Sequence, residues 1–155
     1  MSGRQGADPR RENTIALLGQ AYSLLGFRIV DGVVGTGHPI KPSHSAVFAQ
    51  IEPGGSRLTK LAARARMTPQ SMGVIVDELE ELGYVARRPD PTDRRAKLIT
   101  LTPRGRQAVE AGEATITGLE NDIEDALGER GAKQLRRLLR KLLESAGGPG
   151  PSPGP

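Results

Sequence analysis

A chain of 155 residues, 36% hydrophobic, with 22 Lys and Arg against 18 Asp and Glu, has room for one ordinary domain or for a small domain with a dimerising extension. It contains no cysteine, which excludes disulfides, thiolate metal sites and cysteine-based redox sensing. The net charge of +4 is modest but uneven: residues 56–106 carry +5, against +1 before them and −2 after.

In chain order, residues 1–11 are polar and rich in Gly and Arg, and read as a disordered tail without a signal core. No apolar run approaches the roughly 20 residues of a membrane span, so a cytoplasmic protein without membrane contact is expected. Residues 12–42 read as an N-terminal dimerisation helix and loop. The helix runs from Glu12 to about Val34, with Ile15, Leu18, Tyr22, Leu25, Ile29 and Val33 as one apolar stripe. Gly32, Gly35 and Gly37 end it. A short helix follows from Ser43 to Ile51, stopped by Pro53-Gly54-Gly55.

Residues 43–102 read as a winged helix-turn-helix. Thr59 is placed as the cap of a helix from Lys60 to Arg66. Thr68 then caps a second helix whose first residue is Pro69 and whose stop is Gly83. Met72, Ile75, Val76 and Leu79 make its inner face. Two helices joined by a tight turn form a helix-turn-helix, in which the first braces the second and the N-terminal turns of the second enter the major groove of DNA. Tyr84–Arg88 and Arg95–Leu101 read as antiparallel strands, with Pro89–Asp93 as the turn between them. Residues 103–145 carry two more helices: one from Thr102-Pro103 to about Leu127, with Ile116, Leu119, Ile123 and Leu127 in a stripe, and one from Ala132 to Ser145. Gly128 and Gly131 separate them. The helices at both ends are too long and too apolar to stand in water alone, which points to a homodimer. Residues 146–155 are a Gly/Pro tail. The fold class is therefore mainly α with a small β-hairpin wing, flanked by dimerisation helices.

Candidate functional residues fall in the middle segment. Thr68, Gln70 and Ser71 can donate to and accept from bases or phosphates. Arg94, Arg95 and Lys97 follow a tight turn, which suits insertion of a guanidinium into a narrow minor groove. Asp93 is placed to hold Arg95 by a charge-assisted pair. The competing reading is an exposed hairpin whose charges only keep an edge soluble. Arg57, Lys60, Arg64, Arg66, Arg87 and Arg88 are candidate phosphate contacts. Asp77, Glu78, Glu80 and Glu81 would repel phosphate, so that end of the helix should point away from the DNA backbone. With only His38 and His44 and no Cys, a metal site is not expected, nor is a cofactor. No nucleophile-elbow or phosphate-loop spacing supports an enzyme. Four aromatic side chains in all leave little for stacking single-stranded bases.

Taken together, several runs resemble the MarR family of bacterial transcription regulators. They are Arg57-Leu58-Thr59-Lys60-Leu61-Ala62, Met67-Thr68-Pro69-Gln70-Ser71, Val76 through Val85, Arg87-Arg88, Asp90 through Ala96, and Leu101-Thr102-Pro103-Arg104-Gly105. The resemblance implies a homodimer on a pseudo-palindromic double-stranded DNA operator, acting as a repressor. It places Asp93 and Arg95 as the wing pair, and Gln70, Ser71, Gly73 and Val74 where bases are read. Many relatives carry a hydroxyl residue and an arginine where this chain has Gly73 and Val74. It further implies a small aromatic or anionic effector in a cleft near the dimer helices, with Tyr22, Phe27, Arg28, His38, His44 and Phe48 as candidates. The alternative is a winged-helix adaptor that binds protein without operator specificity, for which the acidic half of the second helix is the best support.

Overall fold

The computed structural model describes Arg10 and residues 12–147, so the expected tails, apart from Arg10, Ala146 and Gly147, lie outside the described residues. The chain forms two compact units, Met1–Thr115 and Ile116–Pro155. The first contains α1 (Thr14–Gly35), a 3-10 turn (Pro42–His44) leading into α2 (Ser45–Phe48), α3 (Leu58–Arg64), α4 (Pro69–Glu81), β1 (Val85–Asp90) and β2 (Asp93–Leu101). It ends within α5 (Pro103–Ser145), which continues into the second unit.

In α1 the Asn13 side chain caps the helix by accepting from Ala16 N–H at 3.0 Å. Only the C-terminal end of the helix reaches the core, through Val30 and Val33. The rest of the expected stripe does not: Ile15 is 78% and Tyr22 81% exposed, with Leu17, Leu24 and Phe27 also exposed on other faces. Large apolar side chains exposed on more than one face, alongside polar Gln20, Arg28 and Asp31, leave apolar surface for a partner to cover. The expectation that no segment matches a membrane span needs correction. These 22 residues are long and apolar enough by length and composition alone, because scattered Gly, Ala and Ser dilute the apolar run without adding charge.

The winged helix packs around Val47, Leu61, Met72, Val76, Leu79, Tyr84, Val85 and Ile99, all buried. Each large apolar side chain buried there contributes about 1.5–3 kcal/mol. In place of the expected helix from Ser43 to Ile51, the structure has a 3-10 turn and one α-turn. Thr59 is not a cap. Ser56 pairs its backbone N–H and C=O with Ile99, which keeps the chain extended through Arg57, so α3 starts at Leu58 and Thr59 lies inside its first turn. Thr68 does cap α4, its hydroxyl accepting from Ser71 N–H at 3.1 Å. Gly83, at φ 77°, closes the helix while Tyr84 N–H returns to Leu79 C=O at 2.8 Å. Thr102 caps α5, accepting from Gly105 N–H at 3.0 Å.

The second unit holds the remainder of α5. A break occurs at Gly128 (φ 72°, ψ 158°), a conformation that side-chain-bearing residues rarely adopt. Gly131, the other expected breaker, stays helical. Arg136 from beyond the break pairs with Glu120 and Glu124 from before it, so the two segments fold back beside each other. Leu119 and Ala132 are buried, while Ile116, Leu127, Leu135, Leu138, Leu142 and Leu143 are exposed.

Candidate nucleic-acid interface

The solvent-facing side of α4 divides into two halves. Thr68, Gln70, Ser71 and Val74 are exposed in its first two turns, and Val74 is 57% exposed. Gly73 lies beside them, half-buried, and a Cβ there would meet only the Leu58 side chain at 4.0 Å. Packing within the protein therefore does not demand a glycine at a helical position where it costs about 1 kcal/mol against alanine. The last turns hold Asp77, Glu78, Glu80 and Glu81, and three of these four are tied to cations from other elements. Glu78 Oε2 accepts from Lys41 Nζ at 3.0 Å and lies 3.0 Å from His44 Nε2. Since Lys41 N–H donates to His44 Nδ1 at 3.1 Å, the buried imidazole carries its proton on Nε2 and gives it to Glu78. The hydrogen bonds of His44 and Lys41 hold the Glu78 carboxyl below its ordinary pKa. Asp77 accepts from Arg87 Nη2 at 2.6 Å, and Glu80 takes both the Arg87 Nη1 and, at 3.1 Å, its backbone N–H. Desolvation opposes the charge of this half-buried guanidinium, but the bonds to Asp77 and Glu80 outweigh it and raise its pKa.

The wing is shorter at its tip than expected, because the strands extend to Asp90 and Asp93 and leave only Pro91-Thr92 between them. Pro89 pairs with Lys97 and Asp90 with Asp93, so Arg94, Arg95 and Ala96 bulge from β2 with no partners on β1. A bulge re-aims side chains out of the ladder, and both arginines are exposed. The expected pair between Asp93 and the Arg95 guanidinium does not form. Asp93 Oδ1 accepts the backbone N–H of Arg95 at 3.1 Å, and Oδ2 lies 3.7 Å from Arg57. Asp93 thus holds the bulge backbone and leaves the guanidinium free.

The tip is stapled by Asp90, a carboxylate only 5% exposed. It accepts the Thr92 hydroxyl at 2.7 Å and backbone N–H at 2.8 Å, and it receives Arg57 Nε at 2.8 Å. The Thr92 hydroxyl, the Thr92 backbone and Arg57 together lower its pKa from 3.8 to about 2. Sequence reasoning missed this residue, although an Asp two positions before a Thr in a turn is an Asx-turn spacing that signals it.

Among the candidate phosphate contacts, Arg57 is committed to Asp90, Arg87 to α4, and both Lys60 and Arg64 to Glu52, at 2.9 and 2.7 Å. Those two cations hold Glu52 below its ordinary pKa. Among the described residues, Arg66, Arg88, Arg94, Arg95 and Lys97 make no ion pair. Arg66 sits in the turn between α3 and α4 at φ 53°, a left-handed conformation that costs a non-glycine residue about 1 kcal/mol.

The candidate cleft residues do not converge. Tyr22 and Phe27 are exposed on α1, roughly 140° apart around a helix with 3.6 residues per turn, and Arg28 is exposed on the same helix. His44 is turned to Glu78. His38 and Phe48 do meet, around Tyr84: the ring centroids lie 5.7 and 5.9 Å from that of Tyr84, and the Arg104 guanidinium stands 4.7 Å over its face. His38 Nδ1 and the Tyr84 hydroxyl are buried without a hydrogen-bond partner among the described residues. Tyr84 and Arg104, which complete this cluster, carried no functional signal in the sequence.

Residues 38–96 match the model of the MarR family. The HTH-type transcriptional repressor Rv2887 of Mycobacterium tuberculosis is 32% identical over 88 residues, which is 57% of this chain and 63% of that protein, so the chain spans less than two thirds of this curated relative. A structure of the M. tuberculosis MarR family protein Rv2887 in complex with salicylic acid aligns over 84% of this chain and 96% of its own, at 25% identity and a TM-score of 0.62. CouR from Rhodococcus jostii, bound to p-coumaroyl-CoA, aligns over 88% and 95%, at 25% identity and a TM-score of 0.70.

Proposed function

We propose that this chain, whose residues 38–96 belong to the MarR family, is a dimeric, sequence-specific DNA-binding regulator that represses transcription from a pseudo-palindromic operator. The observation that carries this reading is the sorting of charge in the winged helix. Among the described residues, Arg66 in the helix-turn-helix turn and Arg88, Arg94, Arg95 and Lys97 on the hairpin make no ion pair, while Arg57, Lys60, Arg64 and Arg87 are spent on carboxylates. Positive charge left free on those two elements suits phosphate and minor-groove contact. Thr68, Gln70, Ser71, Gly73 and Val74 are the proposed base-facing set. The exposed apolar surfaces of α1 and of the end of α5 support a second copy of the chain as the dimer partner.

Release by an aromatic carboxylate fits the same reading. The relative bound to salicylic acid supports that ligand class, and the one bound to p-coumaroyl-CoA, a thioester, supports an aromatic acyl group more broadly. In this chain, the Arg104 guanidinium and the two orphaned polar atoms of His38 and Tyr84 offer suitable chemistry around Phe48. The test is selection of genomic DNA fragments on the purified protein, with and without salicylate, alongside random DNA and a mass measurement in solution. A dimer that retains a palindromic fragment in preference to random DNA is expected. Equal affinity for both, or none for either, sinks the reading in favour of a protein-binding adaptor.

A further inference from the structure

A recognition helix with four carboxylates in its last five residues is an awkward object to bring to DNA. α4 is 13 residues long, about 20 Å at 1.5 Å per residue, whereas the major groove is about 12 Å wide. Its acidic end therefore cannot lie far from phosphate. We infer that Arg87 is a positioning residue for DNA binding. It moors the acidic half of α4 to β1 and, shared between Asp77 and Glu80, offsets one of their two negative charges, which would otherwise repel the phosphate backbone. This inference rests on the DNA-binding reading above.

The geometry carries it. Arg87 spans two positions one helical turn apart, Nη2 to Asp77 at 2.6 Å and Nη1 to Glu80, while Glu80 also receives the Arg87 backbone N–H at 3.1 Å. Arg87 stands opposite Ile99 in the hairpin register, in the regular part of the ladder rather than in the bulge that carries Arg94 and Arg95. A planar fork serves two acceptors at once, which a lysine ammonium on a flexible stem does poorly. Glu78 is tied in parallel to Lys41 and His44, so the acidic half is held from two sides. The same basic side chain that reads from sequence as a phosphate contact is consumed inside the protein.

A double-mutant cycle tests this on full-length protein with a fragment recovered by selection. Arg87→Gln is expected to weaken binding about tenfold in the parent. In an Asp77→Asn/Glu80→Gln background, where no carboxylate remains to neutralise, the same change should cost less than about threefold. The slope of log K against log salt should be unchanged by Arg87→Gln. An equal loss in both backgrounds, with a slope smaller by about 0.9, would mean that Arg87 itself contacts a phosphate, and would overturn the inference. Melting temperatures accompany each variant. Should Arg87→Gln fail to fold, Arg87→Lys replaces it, with a several-fold loss expected in the parent and none in the neutralised background. A parent that prefers no fragment over random DNA overturns the regulatory reading and this inference with it. A parent that binds while the cycle shows no coupling overturns the inference alone.

Discussion

On the wing, carboxylates are used up and arginines are left over; on α4, three of the four carboxylates are used up as well, and the cations that meet them are spent. Asp90 is spent on Thr92 and Arg57, and Asp93 on a backbone N–H, so Arg94 and Arg95 project from an unpaired bulge. On α4, Asp77, Glu78 and Glu80 draw in Arg87, Lys41 and His44, and the solvent-facing positions left to its first turns are neutral. A charge of +5 over residues 56–106 is thus a poor description of what a partner meets. Pairing within the protein decides which cations are available, and it leaves them chiefly on the hairpin.

The largest effect expected from this contrast comes from removing the two leftover arginines. Arg94→Ala with Arg95→Ala should cost roughly 1–3 kcal/mol of operator binding for each side chain and flatten the salt dependence, with little change in melting temperature. Titration of a selected fragment at several salt concentrations checks it. Unchanged binding would show that the wing is only a solvated hairpin.

A smaller effect should follow from Asp90→Asn, which keeps the shape of the side chain and removes its charge. Binding should weaken while Arg94 and Arg95 remain in place, because the tip that aims them loosens. The pH dependence separates this staple from the wing arginines. Asp90 has its pKa lowered from 3.8 to about 2, so the unfolded state binds the proton more readily. Its contribution to stability is present above pH 3.8 and is lost as the pH falls from there through about 2. Melting curves from pH 5 to 2 should therefore fall more steeply for the parent than for Asp90→Asn. Parallel curves would remove the staple from the account.

The smallest effect concerns the strained cation. Arg66→Gly relieves a left-handed arginine and should raise stability by up to about 1 kcal/mol. If Arg66 contacts phosphate, the same change should lower affinity and reduce the salt slope by about 0.9. A denaturation curve and a salt titration on one protein sample give both numbers, and a gain in stability without loss of binding would strike Arg66 from the contact set.

Much of the winged helix was legible because its signals are local. Thr68-Pro69 starts α4 and Gly83 ends it, and Met72, Ile75, Val76 and Leu79 fall on one face at helical spacing. Thr102-Pro103 starts α5 by the same chemistry. Where a start depended on a distant strand, local reasoning failed: Thr59 looks like a cap, but the bridge from Ser56 to Ile99 sets the start of α3 instead. The stripe assigned to α1 has the same fault, since periodicity shows a face but not what covers it, and Tyr22 and Ile15 lie open in the single chain.

The sequence by itself determined the order of elements, the inner face of α4 and the concentration of basic residues around the hairpin, because capping, periodicity and composition act over a few residues. Only the tertiary structure decided which charges are free. Arg57 and Asp90 are 33 residues apart, Glu78 and His44 are 34 apart, and Arg87 is 10 from Asp77. Charges find each other through space, and the folded backbone brings some partners together and leaves Arg94 and Arg95 without an ion pair among the described residues.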